Sequence, residues 1–220
     1  MRSVMPGLYF FDFSFPSPKL TTPIEIDGKL SDWSVLNVVP DLMHLQGRSP
    51  FAHVYFGWDD DNLYIGLDVT GKRNPVQVDT RRFWRRDSIE VWIDVRNDKT
   101  QRRYTEHCHH FFFIPKGRRG NPELATACDW KEVGSAIPDT IFDHPDIEIA
   151  SAIERKGYSL EARISRNVIP TYDPVNHPVI GFNYHINDTD RRAQWWSCGQ
   201  DFPRERDPGT WGSIELVEGG

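Results

Sequence analysis

One stretch near the middle of the chain predicts how the rest is organised: Phe83-Trp84-Arg85-Arg86-Asp87-Ser88-Ile89-Glu90-Val91-Trp92-Ile93-Asp94. From Ser88 onward apolar and polar residues alternate, which is typical of a strand that buries one of its faces. The apolar face holds Ile89, Val91 and Ile93. The opposite face places a carboxylate, Glu90, two positions from an indole, Trp92. We therefore predict a strand with one core face and one face equipped to meet a ligand.

Trp84 lies in a segment that offers no apolar core for its ring. Its neighbours include the four arginines Arg81, Arg82, Arg85 and Arg86. We therefore expect this indole to be available to a ligand. A pyranose has C–H groups on its face and hydroxyls around its rim, so a flat aromatic ring beside a carboxylate suits it. The sequence predicts a carbohydrate-binding surface, with Arg85 and Arg86 as candidates to contact acidic or hydroxylated sugars, although surface arginines are usually only solvated.

Length and composition favour one large β-domain. A chain of 220 residues can bury a substantial core, and 16 Gly and 16 Pro with 13% aromatic residues suit short strands separated by turns. We predict an extended N-terminal arm over residues 1–20 and a single domain over residues 21–220. The net charge of -6 argues against a nucleic-acid partner. No apolar stretch has the length that a membrane partner would require.

Short β-branched and aromatic runs recur along the chain, bounded by turn residues. The predicted strands are Pro23–Asp27, Phe51–Trp58, Leu63–Val69, Ser88–Val95, Arg103–Pro115, Ala125–Trp130, Ile147–Ile153, Tyr158–Ile164, Val179–Asn187, Trp195–Ser197 and Trp211–Val217. Roughly ten or eleven strands with little helix predict an all-β fold, a β-sandwich of two antiparallel sheets. We assign five tryptophans to packing: Trp33, Trp58, Trp92, Trp130 and Trp211. In the pair Trp195-Trp196, one ring must point inward and the other outward.

The N-terminus and the cysteines leave the compartment open. The first residues make a poor signal peptide, because Asp12 interrupts the aromatic run and no small-residue cleavage site follows. The protein is then either cytoplasmic or exported after removal of a leader. The three cysteines Cys108, Cys128 and Cys198 cannot all pair within one chain, and their spacing matches no zinc or redox motif.

Five motifs, in order along the chain, resemble the family 9 carbohydrate-binding modules. They are Ile26-Asp27-Gly28 with Asp32-Trp33, then Trp58-Asp59-Asp60-Asp61-Asn62-Leu63-Tyr64, then Trp84 with Asp87-Ser88-Ile89-Glu90, then Gly157-Tyr158 with Glu161, and Gly181-Phe182-Asn183 with Asn187-Asp188. The resemblance covers roughly residues 22–217. It implies a β-sandwich that binds a mono- or oligosaccharide and has no catalytic apparatus of its own.

The resemblance also implies site residues. In this family a sugar is held between two tryptophans and hydrogen-bonded by polar side chains. Trp84 matches one tryptophan, Glu90 matches a hydrogen-bonding carboxylate, and His185 falls where the family places a polar amide. The second tryptophan is replaced by Glu205. The family's binding arginine should lie on the strand before Pro115, where this sequence instead offers His109, His110 and Phe111.

These departures leave several outcomes open. Phe202 or Trp195 could supply the missing aromatic face, and sugar binding could also be weak. The sandwich could instead have lost the sugar site and serve as an interaction scaffold. No cofactor is required for binding, but members of the family carry calcium that appears structural. The oxygen-bearing candidates for such a site here are Asp27, Asp32, Asn187 and Asp188, although acidic turn residues are more often plain turn formers.

Enzymatic alternatives have weaker support. Strand alternation would place His107 and His109 on one face, where they could share a Zn or Cu ion if His185 supplied a third ligand. A glycosidase would need two carboxylates flanking the scissile bond. The sequence offers Asp94, Glu106 or Glu205 as the partner of Glu90 in such a pair. A chain with 32 acidic residues supplies many such pairs by accident. No nucleophile elbow, phosphate loop or dinucleotide fingerprint occurs.

Overall fold

The computed structural model describes residues 13–80, 82–118, 121, 125–129, 146–199 and 202–219. In this part of the chain the strands are β1 Ser14–Pro18, β2 Ala52–Trp58, β3 Asn62–Val69, β4 Ser88–Asp94, β5 Cys108–Ile114, β6 Thr126–Asp129, β7 Ile147–Glu154, β8 Gly157–Ser165, β9 Val179–Asp188, β10 Arg192–Trp195 and β11 Gly212–Val217. The only helices there are short 3-10 turns: Leu30–Asp32, Val35–Asn37, Met43–Gln46, Phe83–Arg85 and Pro208–Thr210. None is long and apolar enough to cross a membrane. The predicted all-β sandwich of ten or eleven strands with little helix is confirmed.

The strands form two sheets. The larger has the order β1-β11-β9-β4-β5-β6, with β10 also paired to β9, and the smaller has the order β2-β3-β8-β7. Strand β4 pairs with β9 from Ser88 to Asp94 and occupies one edge of it. Strands β10 and β11 therefore share the other edge, β10 near one end and β11 near the other. All pairs are antiparallel except that of β1 with β11.

The core lies between the inner faces of the two sheets. Ile89, Val91 and Ile93 of β4 are fully buried there among aliphatic and aromatic residues of both sheets, so the predicted core face is confirmed. The outer face of β4 is also buried, but by loops: Trp92 packs in a separate cluster with Trp211 and the two cysteines Cys108 and Cys198. Of the face that the sequence predicted to meet a ligand, the end near Glu90 therefore lies outside this cluster.

Most tryptophans lie where the sequence predicted. Trp33, Trp58, Trp92 and Trp211 are buried, and Trp196 lies in the core while Trp195 is half-buried on the other side of its strand. Trp130 lies outside the described residues. Cys108 and Cys198 are buried free thiols, and the side chain of Cys128 is not among those described.

The N-terminal region differs from the sequence-based strand assignments. Residues Pro23–Asp27 form no strand, so that prediction is wrong. Their backbone groups are bonded by side chains instead, since the Glu25 amide donates to Asp32 Oδ2 at 3.1 Å. Strand β1, which the sequence analysis did not predict, pairs with β11 from Ser14 to Pro18. Residues 1–12 lie outside the described residues, and the division into an arm and a domain stays a prediction.

A buried carboxylate organises the turn at Asp27-Gly28. Glu161 on β8 is fully buried and accepts hydrogen bonds from the Trp33 indole and the Gly28 amide, both at 2.8 Å. Burial raises the pKa of Glu161, against the effect of these donors. Gly28 has a φ of 86°, and a Cβ there would lie 2.6 Å from the backbone of Ser151. Two of the five motifs noted in the sequence thus meet at one buried carboxylate.

A second buried electrostatic cluster joins the segment after β3, the segment before β4 and the end of β9. The Lys72 ammonium, in a side chain only 1% exposed, lies 2.9 Å from both Asp87 Oδ1 and Asp188 Oδ2. Burial alone would lower the pKa of Lys72, but the hydrogen bonds to Asp188 and Asp87 raise it. Asp87 also accepts from the Thr189 amide at 2.9 Å and the Gln77 amide at 2.8 Å. The segment before β4 is therefore tied to the end of β9.

We predict that Lys72→Met destabilises the domain by about 3–5 kcal/mol, because two buried carboxylates lose their shared cation. Guanidinium chloride unfolding followed by tryptophan fluorescence measures this change. Lys19→Met is the matched control: Lys19 Nζ lies 2.7 Å from Asp60, but those side chains are 24% and 62% exposed, so we expect little change. Equal losses in the two variants would contradict the role given to burial.

Candidate functional site

Glu90 is the centre of the polar cluster on the outer face of the larger sheet. It lies on β4, directly opposite His185 of β9 and Phe112 of β5. Its Oε1 lies 3.4 Å from His185 Nδ1 and 3.2 Å from the side-chain amide of Asn187. Its Oε2 lies 3.2 Å from His110 Nε2. Three strands distant in the chain thus bring a carboxylate, two imidazoles and an amide together.

The charge of Glu90 is stabilised despite its 6% exposure. Burial alone would raise the pKa of Glu90, but the hydrogen bonds and charges of His110 and His185 lower it well below its usual range. An ionised carboxylate only accepts hydrogen bonds, so both imidazoles present N–H groups to it. A carboxylate has about four lone-pair positions, and three are used here. One acceptor position is left after the bonds to these three side chains.

The structure adds two residues to the predicted set. His110 was noted in the sequence only as one of three candidates on its strand, because the register was not known. The structure shows that His110 faces Glu90, whereas His109 is buried on the core face and stacks on Phe111 at 5.7 Å. Asn187 was considered only as a calcium ligand, yet it donates to Glu90. Its position two residues after His185 on β9 was the available signal, since residues an even number of positions apart on a strand share a face.

Trp84 is placed at the rim by a short chain of aromatic contacts. It lies in the 3-10 turn Phe83–Arg85 and is 37% exposed. Its ring meets that of Phe83 edge to face at 5.1 Å, and Phe83 stacks on Phe112 at 3.8 Å. Phe112 is the residue directly opposite Glu90. The exposed indole is therefore fixed to the same sheet face that carries the buried carboxylate.

A cleft of about 330 Å³ opens beside Trp84. This volume lies within the range of small-molecule sites, roughly 300–1,000 Å³. The residues that line it are Trp84, Arg85, Arg86, Asn187, Asp188, Thr189, Arg192 and Ala193. Asn187 both lines the cleft and donates to Glu90. The predicted residues Trp84 and Arg86 thus border the cleft directly, while Glu90 and His185 adjoin it behind Asn187.

Among the described residues, no tryptophan stacks against Trp84 to fill the second aromatic position. Trp195 on β10 lies directly opposite His185, on the same sheet face, and the guanidinium of Arg48 lies 4.7 Å above its ring. Phe202 packs with the buried cluster around Trp92. Glu205 is exposed, with its carboxylate 3.6 Å from Arg204. Trp195 is therefore the aromatic residue that accompanies His185, and an arginine covers it.

The proposed calcium ligands do not form one site. Asp27 and Asp32 bond to the turn around residues 25–29, whereas Asn187 and Asp188 end β9. Asn187 is used by Glu90, and Asp188 already accepts from the Lys72 ammonium. Within the described ranges no group of three or more His, Cys, Asp or Glu side chains could hold a metal ion. The residues considered for calcium do not fit it.

The histidine pair considered as a metal site is also separated. His107 precedes β5, and its Nδ1 lies 3.0 Å from Thr171 Oγ1. His109 points into the core, while His185 lies with Glu90 on the outer face. The prediction that His107 and His109 share a face for an ion is therefore wrong, because the strand begins only at Cys108. Asp94, one carboxylate considered for a glycosidase pair, accepts from the Arg96 and Asp98 amides at 2.9 Å and shapes its own turn.

Comparison with known proteins agrees with the geometry. A family model described as carbohydrate family 9 binding domain-like matches residues 26–219. Endo-1,4-beta-xylanase A of Thermotoga neapolitana is 27% identical over 210 residues, covering 91% of this chain, and Exoglucanase XynX of Acetivibrio thermocellus is 26% identical over 176 residues, covering 79%. This chain spans only 17% and 14% of the lengths of those two relatives.

Solved structures show the same fold. A family 9 carbohydrate-binding module of Caldicellulosiruptor kristjanssonii, solved in complex with cellotriose, superposes with a TM-score of 0.63 at 18% identity over 94% of this chain and 95% of that one. A family 9 carbohydrate-binding module of the same organism, solved in complex with glucose, gives a TM-score of 0.60 at 18% identity over 94% of this chain and 97% of that one. With the family model matched over nearly the whole described chain, this protein belongs to the carbohydrate family 9 binding domain-like family.

Proposed function

We propose that this domain binds a mono- or oligosaccharide in the cleft beside Trp84, without catalysing its cleavage. The observation that carries the proposal is an exposed indole fixed beside a buried, ionised carboxylate, with Asn187 joining the two. A sugar face would stack on Trp84, while its hydroxyls would meet Asn187 and the remaining acceptor position of Glu90. The solved relatives bind cellotriose and glucose, which supports a glucose-like ring as ligand.

The other polar side chains prepare Glu90 for this role. His110 and His185 hold the carboxylate in one orientation, so it loses little freedom when a hydroxyl binds. His185 itself contributes through this positioning and through its place opposite Trp195. Arg86, whose guanidinium donates to Gln77 at 3.1 Å, borders the cleft and supplies further donors for sugar oxygens.

The charge states of the cleft support binding without hydrolysis. A glycosidase needs a carboxylic acid with a raised pKa that can protonate the leaving group. The pKa of Glu90 is lowered by its two histidines. For Asp188, the carboxylate lining the cleft, burial is outweighed by the hydrogen bonds from Lys72 and Arg191, and its pKa is lowered as well. Both therefore stay ionised at neutral pH and neither is suited to act as an acid.

The larger relatives suggest where such binding is useful. The chain matches only a small part of a xylanase and an exoglucanase. A domain of this kind would hold a polysaccharide or its fragments close to degrading activity, which raises the local concentration of substrate. We therefore place this protein in polysaccharide or glycan utilisation. An interaction scaffold without a sugar site is the alternative, and the replacement of the second tryptophan by Glu205 is its support.

Trp84 is expected to provide the stacking contact with the sugar. Trp84→Ala should weaken glucose or cellotriose binding by roughly fivefold, because stacking of this kind contributes about 1 kcal/mol, and Trp84→Tyr should retain most of the affinity. Isothermal titration calorimetry measures both. Leu36→Ala serves as control, since Leu36 is an exposed apolar residue, 65% exposed, outside the cleft. Unchanged affinity in Trp84→Ala would contradict the proposed stacking.

Glu90 is expected to provide a hydrogen bond from a charged group to the sugar. Glu90→Gln keeps the shape of the side chain but removes its charge, and we expect more than tenfold weaker sugar binding because hydrogen bonds to charged groups contribute about 1.5–3 kcal/mol. Glu161→Gln is the matched control, a buried carboxylate of the smaller sheet held by Trp33 and Gly28. It should lower the melting temperature yet leave affinity unchanged when measured on folded protein. If both variants bound sugar as wild type does, Glu90 would have no part in recognition.

A further inference from the structure

The cleft beside Trp84 is locally basic, although the chain as a whole is acidic. The protein has a net charge of -6, yet three of the eight residues lining this cleft are arginines: Arg85, Arg86 and Arg192. The lining contains one carboxylate, Asp188, which is already neutralised by Lys72 at 2.9 Å and by Arg191 at 3.4 Å. A ligand in the cleft would therefore meet guanidinium groups without a compensating free acid.

Two of these arginines have no side-chain partner within the described part of the chain. Some arginines elsewhere on the surface are paired: Arg166 lies 3.0 Å from Asp61 and Arg102 lies 3.2 Å from Asp207. Arg85 and Arg192, in contrast, have neither an ion pair nor a side-chain hydrogen bond to any described residue. An acidic protein has many carboxylates with which to pair them. Other exposed arginines, such as Arg103 and Arg155, also lack a side-chain partner among the described residues. What distinguishes Arg85 and Arg192 is that both line one cleft beside an exposed indole, and this clustering points to an anionic ligand.

The backbone conformation of Arg192 is unusual and supports a specific role for this residue in the cleft. Its φ is 77°, in the left-handed region that residues with a Cβ rarely adopt. Arg192 begins β10 directly opposite Asp188, the carboxylate of the cleft that Lys72 holds. The turn between β9 and β10 thus brings a guanidinium to the cleft wall at some conformational cost.

We propose that the preferred ligand of this site is an acidic sugar, a uronic acid residue whose ring stacks on Trp84 and whose carboxylate is bound by Arg85 and Arg192. The planar guanidinium matches a carboxylate with two parallel hydrogen bonds and remains charged at all relevant pH values. The carboxylate of a uronic acid replaces the C6 hydroxymethyl of glucose, so the two ligands share every other ring substituent. This inference rests on the proposed function, since it names the ligand class of the same cleft.

The test compares glucuronate with glucose, which differ only at C6. By isothermal titration calorimetry in low-salt buffer we expect wild-type protein to bind glucuronate about tenfold more tightly. This preference should shrink as sodium chloride is raised to 0.5 M, since salt screens exposed charges at a Debye length of roughly 3–8 Å. The Arg85→Gln, Arg192→Gln double variant should bring the ratio of the two affinities close to one.

The control is Arg155→Gln. Arg155 is an exposed arginine between β7 and β8 of the smaller sheet, outside the cleft residues, so a single variant there tests whether loss of one positive charge anywhere is sufficient. The Arg155→Gln variant should keep the wild-type ratio of glucuronate affinity to glucose affinity. Equal binding of glucuronate and glucose by wild type, or an unchanged ratio in the double variant, would overturn this inference while leaving the sugar-binding proposal intact. Absence of binding by both sugars would overturn both.

Discussion

A buried charge must be surrounded by partners, and this constraint explains more of the molecule than any other. Three clusters of the described residues are built on buried carboxylates: Glu90 with two imidazoles, Glu161 with an indole and two backbone amides, and the Asp87 and Asp188 pair with Lys72. Leaving any of them unpaired would cost several kcal/mol. Each cluster therefore joins segments that are far apart in the chain. Motif residues that look like surface turns in the sequence therefore join distant segments inside the fold.

The cluster around Glu90 differs from the others in what lies next to it. Glu161 is enclosed by Trp33 and the turn at Gly28, so its hydrogen-bonding capacity serves the fold. Glu90 adjoins a cleft through Asn187, and its outer neighbour Trp84 is held in an exposed position by Phe83. The same physical solution, a carboxylate satisfied by surrounding donors, thus connects structural elements of one sheet and forms part of the proposed binding site on the other.

The Lys72 cluster contributes both to the stability of the fold and to the charge of the cleft. It ties the segment before β4 to the end of β9, and the walls of the cleft come from those same regions. Lys72 and Arg191 together balance the charges of Asp87 and Asp188, which leaves the arginines of the cleft wall as the dominant local charge. Stability of the fold and charge of the site are therefore set by one group of residues, and a domain with an overall acidic surface acquires a locally basic cleft.

What the sequence by itself determined was local. Alternation assigned the two faces of β4, and the Asp59-Asp60-Asp61-Asn62 turn marked the β2–β3 hairpin, because both depend on bonds between residues a few positions apart. The resemblance to a known family pointed to Trp84, Glu90 and His185, and the last two do hydrogen-bond to each other. The tertiary structure alone decided that His110 rather than His109 faces Glu90, and that Asn187 joins it. Strand register makes that choice, since a slip of one residue turns every side chain to the opposite face, and pairing between residues 97 positions apart cannot be obtained from local pattern.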